Sequence, residues 1–155
     1  MTVVQVDLAA QTRRKMTKAE KYEKYFMDIA LRTAENSYAV RSKVGAVLVK
    51  DNHILATGWN GTPSGMDNCC EYTNEDGTLT TKENVIHAEA NIIYFCAKNG
   101  IQTDNTSLYI TLSPCATCAL AIIQAGIKEV FFHEKYRDPT GLNILEQNNI
   151  KVQQI

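Results

Sequence analysis

Two short motifs bring together side chains that can hold a metal ion and move a proton. The first is His-Ala-Glu at 87–89, and the second is Pro-Cys-Ala-Thr-Cys at 114–118. Imidazole and thiolate are ligands that zinc prefers, and three protein ligands leave a fourth coordination position open for water. A carboxylate two residues from the histidine can reach that water as general base and then general acid. The motifs predict a catalytic zinc site, with His87, Cys115 and Cys118 as ligands and Glu89 as proton carrier.

Two other interpretations of these residues stay open on the sequence. A thioredoxin-like redox pair would use Cys115 and Cys118. A closed structural zinc site would take a fourth ligand from another cysteine or histidine. The available ones are His53, Cys69, Cys70, Cys96 and His133. Neither interpretation gives a role to Glu89, whereas Pro114 suits a helix start beside the metal. The sequence therefore favours the open, catalytic site.

The elements that position these motifs alternate between helices and strands. A capping box at 17–20 begins a helix that runs to about Asn36. Short apolar runs predict strands at 44–49, 54–59, 108–112 and 129–132, with a weak edge strand at 150–152. Asp51-Asn52 predicts a hairpin turn between the first two strands. Further helices are predicted at 85–98, 116–125 and 142–147.

This order predicts an α/β fold, a three-layer α/β/α domain with a mixed five-stranded sheet and helices on both faces. Both motifs then lie at helix starts at one end of the sheet, where open α/β sheets bind ligands. The positive ends of these helices would stabilise the thiolates. The segment at 60–84 is rich in Gly, Asn, Thr and Asp. It is longer than an ordinary connection, and we expect it to be a functional loop.

The composition predicts one domain over residues 1–155, with 1–16 as an N-terminal extension. The 45% hydrophobic and 21% charged residues are typical of a globular protein. We expect no membrane partner, because no apolar run is long enough to span a bilayer. Residues 1–12 lack a secretory signal pattern, and five cysteines with two at zinc spacing indicate reduced thiols in the cytoplasm. A net charge of −1 favours a small-molecule substrate over nucleic acid.

The motifs, together with the segments at 58–65, 124–129 and 134–138, resemble the deoxycytidylate deaminase family of the cytidine deaminase superfamily. The resemblance spans roughly residues 22–152. It implies a cytidine-deaminase-like fold and zinc-dependent hydrolysis of dCMP to dUMP and ammonia, which supplies thymidylate synthesis. The resemblance is compatible with dCMP as the sole substrate and with both dCMP and dCTP as substrates. The family includes bacteriophage members, for which the host cytoplasm is the expected location.

The resemblance also implies roles for individual residues. Asn60 would bind the sugar 3′ hydroxyl, with an ordinary Asn-Gly turn as the alternative. The remaining substrate-binding residues would be Ser37, Arg41, Ala88, Ser113, Pro114, Lys135 and Tyr136. Of these, Ser37, Arg41, Lys135 and Tyr136 would bind the 5′-phosphate. A solvated surface charge is the alternative to a ligand for each of Arg41, Lys43, Lys135 and Arg137.

Quaternary structure and regulation enter through the resemblance alone. Family members are hexamers that dCTP activates and dTTP inhibits, with the effector near an Asn-Gly-x-Pro-x-Gly loop at a subunit interface. The matching residues here are Gly61, Thr62, Pro63, Ser64 and Gly65. The resemblance thus implies a homo-hexamer with dCTP and dTTP as effectors and Mg²⁺ accompanying the triphosphate.

One departure from some phage relatives concerns a second, structural zinc. Those relatives build it partly from a cysteine at the place of Ala39 and from a histidine ahead of the catalytic one. This chain has no histidine between Trp59 and Ile86. We therefore expect Cys69 and Cys70 to bind no metal.

Two other functions share these motifs. A tRNA adenosine deaminase, or another polynucleotide-editing relative, would need a basic surface, for which the cluster of Arg13, Arg14, Lys15 and Lys18 is the available patch. A non-catalytic zinc-stabilised interaction module would leave Glu89 without a purpose.

Overall fold

A mixed five-stranded sheet organises the structure, a computed structural model that describes residues 14–155. Of the N-terminal extension expected at 1–16, residues 1–13 lie outside the described part. The helices are α1 (Lys18–Ala34), α2 (Ala88–Asn99), α3 (Ala116–Gln124) and α4 (Thr140–Gln147). The strands are β1 (Gly45–Lys50), β2 (His53–Trp59), β3 (Glu71–Thr73), β4 (Leu79–Thr81), β5 (Ser107–Leu112), β6 (Glu129–Glu134) and β7 (Lys151–Gln154).

The strand order in the sheet is β2-β1-β5-β6-β7, and β3 pairs with β4 in a separate hairpin. β1 is antiparallel to β2 and to β5, whereas β5, β6 and β7 run parallel to one another. Parallel strands end at the same edge of a sheet, so the loops after β5 and β6 lie side by side. These loops lead to the Pro-Cys-Ala-Thr-Cys motif and to residues 135–137.

Successive residues of the central strands enter two different cores. Leu108 and Ile110 of β5 pack with α2, α3 and α4 on one face of the sheet. Tyr109, between them, packs with Phe26 of α1 and Phe131 of β6 on the other face. Helices thus cover both faces of the sheet, which confirms the predicted three-layer α/β/α fold with five strands.

Local signals in the sequence predict most element boundaries closely. Thr17 and Glu20 form the reciprocal hydrogen bonds of a capping box at the start of α1. Asp51 and Asn52 both have positive φ, as a tight hairpin turn between β1 and β2 requires. The weak strand expected at the C-terminal end of the chain is β7, on the edge of the sheet.

Two predictions about local structure need correction. α2 begins at Ala88 instead of Val85, because Ile86 exchanges backbone hydrogen bonds with Gly61 and so holds this stretch extended. The segment at 60–84 is not all loop, since it contains the β3–β4 hairpin. Its turn uses Asn74, whose carbonyl accepts from Gly77, and Gly77 takes a φ of +82°.

No helix within residues 14–155 combines the length and the apolar character that crossing a bilayer would require.

Candidate metal centre and active site

The starts of α2 and α3 bring three potential zinc ligands together. His87 is the N-cap residue of α2 and Cys115 the N-cap of α3, while Cys118 lies in the first turn of α3. Nδ1 of His87 is 3.4 Å from Sγ of Cys118 and 3.7 Å from Sγ of Cys115. Neither N-cap side chain makes a capping hydrogen bond to its own helix, so both can serve as ligands. Two positive helix ends face this cluster and favour thiolates there.

Hydrogen bonds among the three side chains shift the pKa of each of them. The Cys118 thiol and the His87 ring donate to the sulfur of Cys115 and lower the pKa of Cys115 to about 4. The same hydrogen bond, together with burial, raises the pKa of Cys118. Hydrogen bonding to Cys115 also raises the pKa of His87. Zinc binds thiolates and neutral imidazole, so metal binding here would release such protons.

Glu89 lies beside these ligands in the first turn of α2. Its side chain is only 3% exposed, and burial raises the pKa of its carboxyl group. A carboxylate in such surroundings binds a proton more readily than one in water, which suits a group that accepts and then returns one.

Within residues 14–155, no fourth protein ligand reaches the cluster. Among residues 14–155, the only group of metal-binding side chains consists of His87, Cys115 and Cys118, whose ligand atoms lie within 4.8 Å of one another. The five side chains considered above as a fourth ligand all belong to this described range. The geometry therefore matches an open site better than a closed structural one.

A cavity of about 440 Å³ adjoins the cluster and is lined by His87, Glu89 and Cys115. Exposed cations from remote segments, Arg41, Lys135 and Arg137, line it as well. The volume lies within the range of small-molecule sites. The cavity thus combines a metal cluster, a buried carboxylate and positive charge, a combination suited to a small anionic molecule.

The loop after β6 is fixed to the loop after β5. Ser113 donates its backbone N–H to the Glu134 carbonyl, and its Oγ accepts from Tyr136 N–H at 2.7 Å. Four of the predicted substrate-binding residues line the cavity, namely Ala88, Ser113, Lys135 and Tyr136, and their contact with a substrate stays a prediction. Pro114 is fully buried and does not line it.

Asn60 and Ser37 hold backbone in this structure. The Asn60 amide accepts from Val44 N–H at 2.9 Å and donates to the Ser42 carbonyl at 2.9 Å. Ser37 donates to the Asn60 carbonyl at 2.7 Å and is buried away from the cavity. Asn60 still lines the cavity, so a sugar contact stays a prediction for it. Ser37 does not line the cavity.

The residues expected at an effector site lie apart from the cavity. Gly61 bonds to Ile86, Thr62 donates to the Asp67 carbonyl, and Gly65 has a φ of +88°. Residues 61–65 contribute nothing to the cavity lining found in the described structure. A role for them in effector binding stays a prediction.

Comparison with known proteins identifies the family. The sequence profile of the "Cytidine and deoxycytidylate deaminase zinc-binding region" matches residues 20–134, which contain the whole metal cluster. The chain belongs to this deaminase family. The resemblance found on the motifs is therefore confirmed.

Similar proteins carry the more specific name. The deoxycytidylate deaminase of Enterobacteria phage T4 is 34% identical, over 81% of this chain and 86% of the phage protein. The human deoxycytidylate deaminase is 41% identical over 76% of this chain and 67% of the human one. A crystal structure of dCMP deaminase from cyanophage S-TIM5, in complex with dCMP and dUMP, superposes with a TM-score of 0.81. It is 40% identical and covers 91% of this chain and 100% of that one.

Some residues that line the cavity were not predicted from the sequence of this member of the deaminase family. Glu71 and Thr81 come from the β3–β4 hairpin, whereas Arg137 belongs to the 134–138 segment that carries the family resemblance. For the hairpin residues, the length of the 60–84 segment was the one available signal, because a long connection in a small domain is often functional.

Proposed function

We propose that this chain is a zinc-dependent dCMP deaminase, which hydrolyses dCMP to dUMP and ammonia. The observation that carries the proposal is the cavity in which a His-Cys-Cys cluster, a buried carboxylate and three cations meet. The metal cluster and the carboxylate suit hydrolysis of the base, and the cations suit a phosphate on the sugar. The family match and the dCMP- and dUMP-bound relative support this substrate.

The donor set fits zinc. His87, Cys115 and Cys118 offer one imidazole and two sulfurs, whereas magnesium prefers oxygen ligands. These residues would hold a zinc ion, which would act as a Lewis acid and lower the pKa of a water molecule toward neutrality.

Glu89 moves the protons of the proposed reaction. Its carboxylate takes a proton from the attacking water and delivers it to ring N3, then takes the proton of the new C4 hydroxyl and delivers it to the departing amino group. Water adds at C4 of the cytosine ring, and the C4–N bond breaks as ammonia leaves. Burial of Glu89 excludes bulk water and keeps the transferred proton within the cavity.

The cations orient the nucleotide. Arg41 is remote in the chain from Lys135 and Arg137, but all three line one cavity, which suits a phosphate group that several donors share. We assign Tyr136 and Asn60 to the same substrate pocket, the first for the phosphate and the second for the sugar.

Regulation and assembly follow the family by analogy. We infer a homo-hexamer in the cytoplasm, activated by dCTP with accompanying Mg²⁺ and inhibited by dTTP, with residues 61–65 at the effector site. The test is to measure dCMP kinetics on protein whose oligomeric mass is known. A sigmoidal rate curve that becomes hyperbolic on addition of dCTP would support this inference. Hyperbolic rates unaffected by either triphosphate contradict it.

Ammonia release tests the proposed activity. The zinc-loaded protein is assayed with cytosine, cytidine, dCMP, dCTP, adenosine and a tRNA stem-loop. We expect turnover of dCMP, abolished by a chelator and restored by Zn²⁺ but not by Mg²⁺, since thiolates select zinc. Deamination of the tRNA stem-loop with dCMP untouched would instead assign the chain to the polynucleotide-editing branch.

A further inference from the structure

Glu71 is a buried acid from the β3–β4 hairpin that faces the same cavity as the metal cluster. Its side chain is 9% exposed, and it lines the cavity together with Arg41 and Glu89. Oε1 of Glu71 accepts from the backbone N–H of Val40 at 2.9 Å and from that of Arg41 at 3.2 Å. Hydrogen bonds to a carboxylate are stronger than those between neutral groups, so this one side chain fixes the backbone on both sides of the Val40–Arg41 peptide.

The residue opposite Glu71 holds the same arginine by its side chain. Thr81 pairs with Glu71 across the hairpin, and its Oγ1 accepts from Nη1 of Arg41 at 3.0 Å. The two contacts join segments that lie 30 and 40 residues apart in the chain. Arg41 is therefore held at its backbone by one strand of the hairpin and at its guanidinium by the other.

Most of an exposed arginine's side chain is free to rotate, and ordering it on binding a ligand costs free energy. The Glu71–Thr81 pair removes much of this cost, because it orders Arg41 before a ligand arrives. Arg41 retains its other guanidinium N–H groups for a ligand, since only Nη1 bonds to Thr81.

We propose that Glu71 and Thr81 are positioning residues for Arg41, and that the β3–β4 hairpin thereby sets the affinity of the cavity for the substrate phosphate. This inference rests on the proposed function, in which Arg41 binds that phosphate. It gives the 60–84 insertion a specific task. Neither residue belongs to the metal cluster, so the task concerns nucleotide binding and not the proton transfer at Glu89.

Paired variants separate positioning from folding. Glu71→Ala removes the acceptor, whereas Glu71→Gln retains an oxygen in its place. Thr81→Val removes the hydroxyl at nearly constant shape, whereas Thr81→Ser retains it. For Glu71→Ala we expect the KM for dCMP to rise about tenfold, the loss of roughly one charge-assisted hydrogen bond, with kcat within about twofold of wild type. Thr81→Val should raise KM about threefold, the low end for the loss of one hydrogen bond. In Glu71→Gln and Thr81→Ser, KM should stay close to the wild-type value.

A second measurement does not depend on turnover. Calorimetry gives the dissociation constants of dUMP and of deoxyuridine, which lacks the phosphate. In Glu71→Ala only dUMP should bind more weakly. Glu75→Ala is the matched control, because Glu75 is an exposed acid of the same hairpin, and it should change neither constant.

The outcomes distinguish this inference from the proposed function. Equal weakening of dUMP and deoxyuridine, an unchanged dUMP constant in Glu71→Ala, or a fall in kcat with KM unchanged overturns the positioning role. A wild-type protein that binds dUMP no more tightly than deoxyuridine also overturns it. Selective weakening of dUMP in a protein that releases no ammonia from dCMP upholds the positioning role and contradicts the proposed activity.

Discussion

Two buried carboxylates, Glu71 and Glu89, line the cavity, and they make different contacts. Glu89 stands beside the metal cluster, where burial raises its pKa and suits it to carry a proton. Glu71 instead accepts two backbone N–H groups and so holds a neighbouring segment in place. In the proposed function, one residue type would thus serve chemistry at one wall of the cavity and positioning at another, and the surroundings decide which.

Replacing Glu89 tests the chemistry at the scale of one residue. Glu89→Gln keeps the size of the side chain but removes the base, so we expect turnover of dCMP to fall by at least about 10²-fold. The zinc ligands are unchanged, and metal content should stay at the wild-type level. Ammonia release and metal analysis on the same sample measure both.

An exposed acid close in sequence provides the comparison for that variant. Glu83→Gln makes the same chemical change outside the cavity lining and should leave turnover within about twofold of wild type, as is usual for surface substitutions. Near wild-type activity in zinc-loaded Glu89→Gln would show that another group carries the proton.

Helix starts and the glycines packed against them position the site at the scale of elements. A Cβ at Gly58 of β2 would lie 2.8 Å from Cγ1 of Ile92 and 3.0 Å from the carbonyl oxygen of Ala88, so α2 packs directly on this strand. At Gly141, in the first turn of α4, a Cβ would lie 2.8 Å from the Cys115 carbonyl oxygen and closer still to that of Pro114. The backbone at Pro114 and Cys115, which carries the first predicted cysteine ligand, thus packs directly against α4.

Adding one methyl group at Gly141 tests this contact between elements. In Gly141→Ala the Pro114–Cys115 backbone must move, since the new methyl meets carbonyl oxygens and not flexible side-chain ends. We expect zinc affinity to fall about tenfold or more, the size of effect seen when the support of a metal ligand is lost. Competition with a chromogenic chelator measures it.

Gly61→Ala is the corresponding control. A Cβ there meets nothing within 4 Å, and the residue has no positive φ. Zinc affinity should therefore stay at the wild-type value. Unchanged zinc affinity in Gly141→Ala would mean that the ligand loop does not depend on α4.

At the scale of the whole molecule, the site and the aromatic cluster of the core lie on different faces of the sheet. α1 and the aromatic cluster of Phe26, Tyr109 and Phe131 lie on one face, where the rings of Tyr109 and Phe131 stack at 4.6 Å. The helices that carry the metal ligands and Glu89 pack on the other face. A change in the aromatic cluster should reach the site only through global unfolding.

Phe26→Ala tests this separation. Phe26 is 1% exposed, and its loss should lower the free energy of unfolding by about 3–5 kcal/mol. Turnover per folded molecule should stay at the wild-type value at temperatures where the variant remains folded. Chemical denaturation and ammonia release measure the two quantities.

A neighbouring aromatic residue on the same helix serves as the reference. Tyr25 is 53% exposed, so Tyr25→Ala should cost less than about 1 kcal/mol. A large fall in turnover of folded Phe26→Ala would show that the two faces of the sheet are coupled.

The sequence by itself determined the parts of this protein that depend on neighbours along the chain. These parts are local patterns: the cap of the first helix, the Asp51-Asn52 turn, the alternation of strands and helices, and the two zinc motifs. The first three predicted secondary structure, and the motifs predicted the site. The order of elements then determined the fold class, because a strand-helix-strand connection leaves few ways to cover both faces of a sheet.

Only the tertiary structure decided which remote side chains meet. It turned Asn60 and Ser37 toward backbone groups, although their types suited a sugar or a phosphate. It brought Glu71 and Thr81 of an apparent loop to Arg41. The physical reason is that polar side chains bond to whichever groups are buried with them, and burial depends on how distant segments pack.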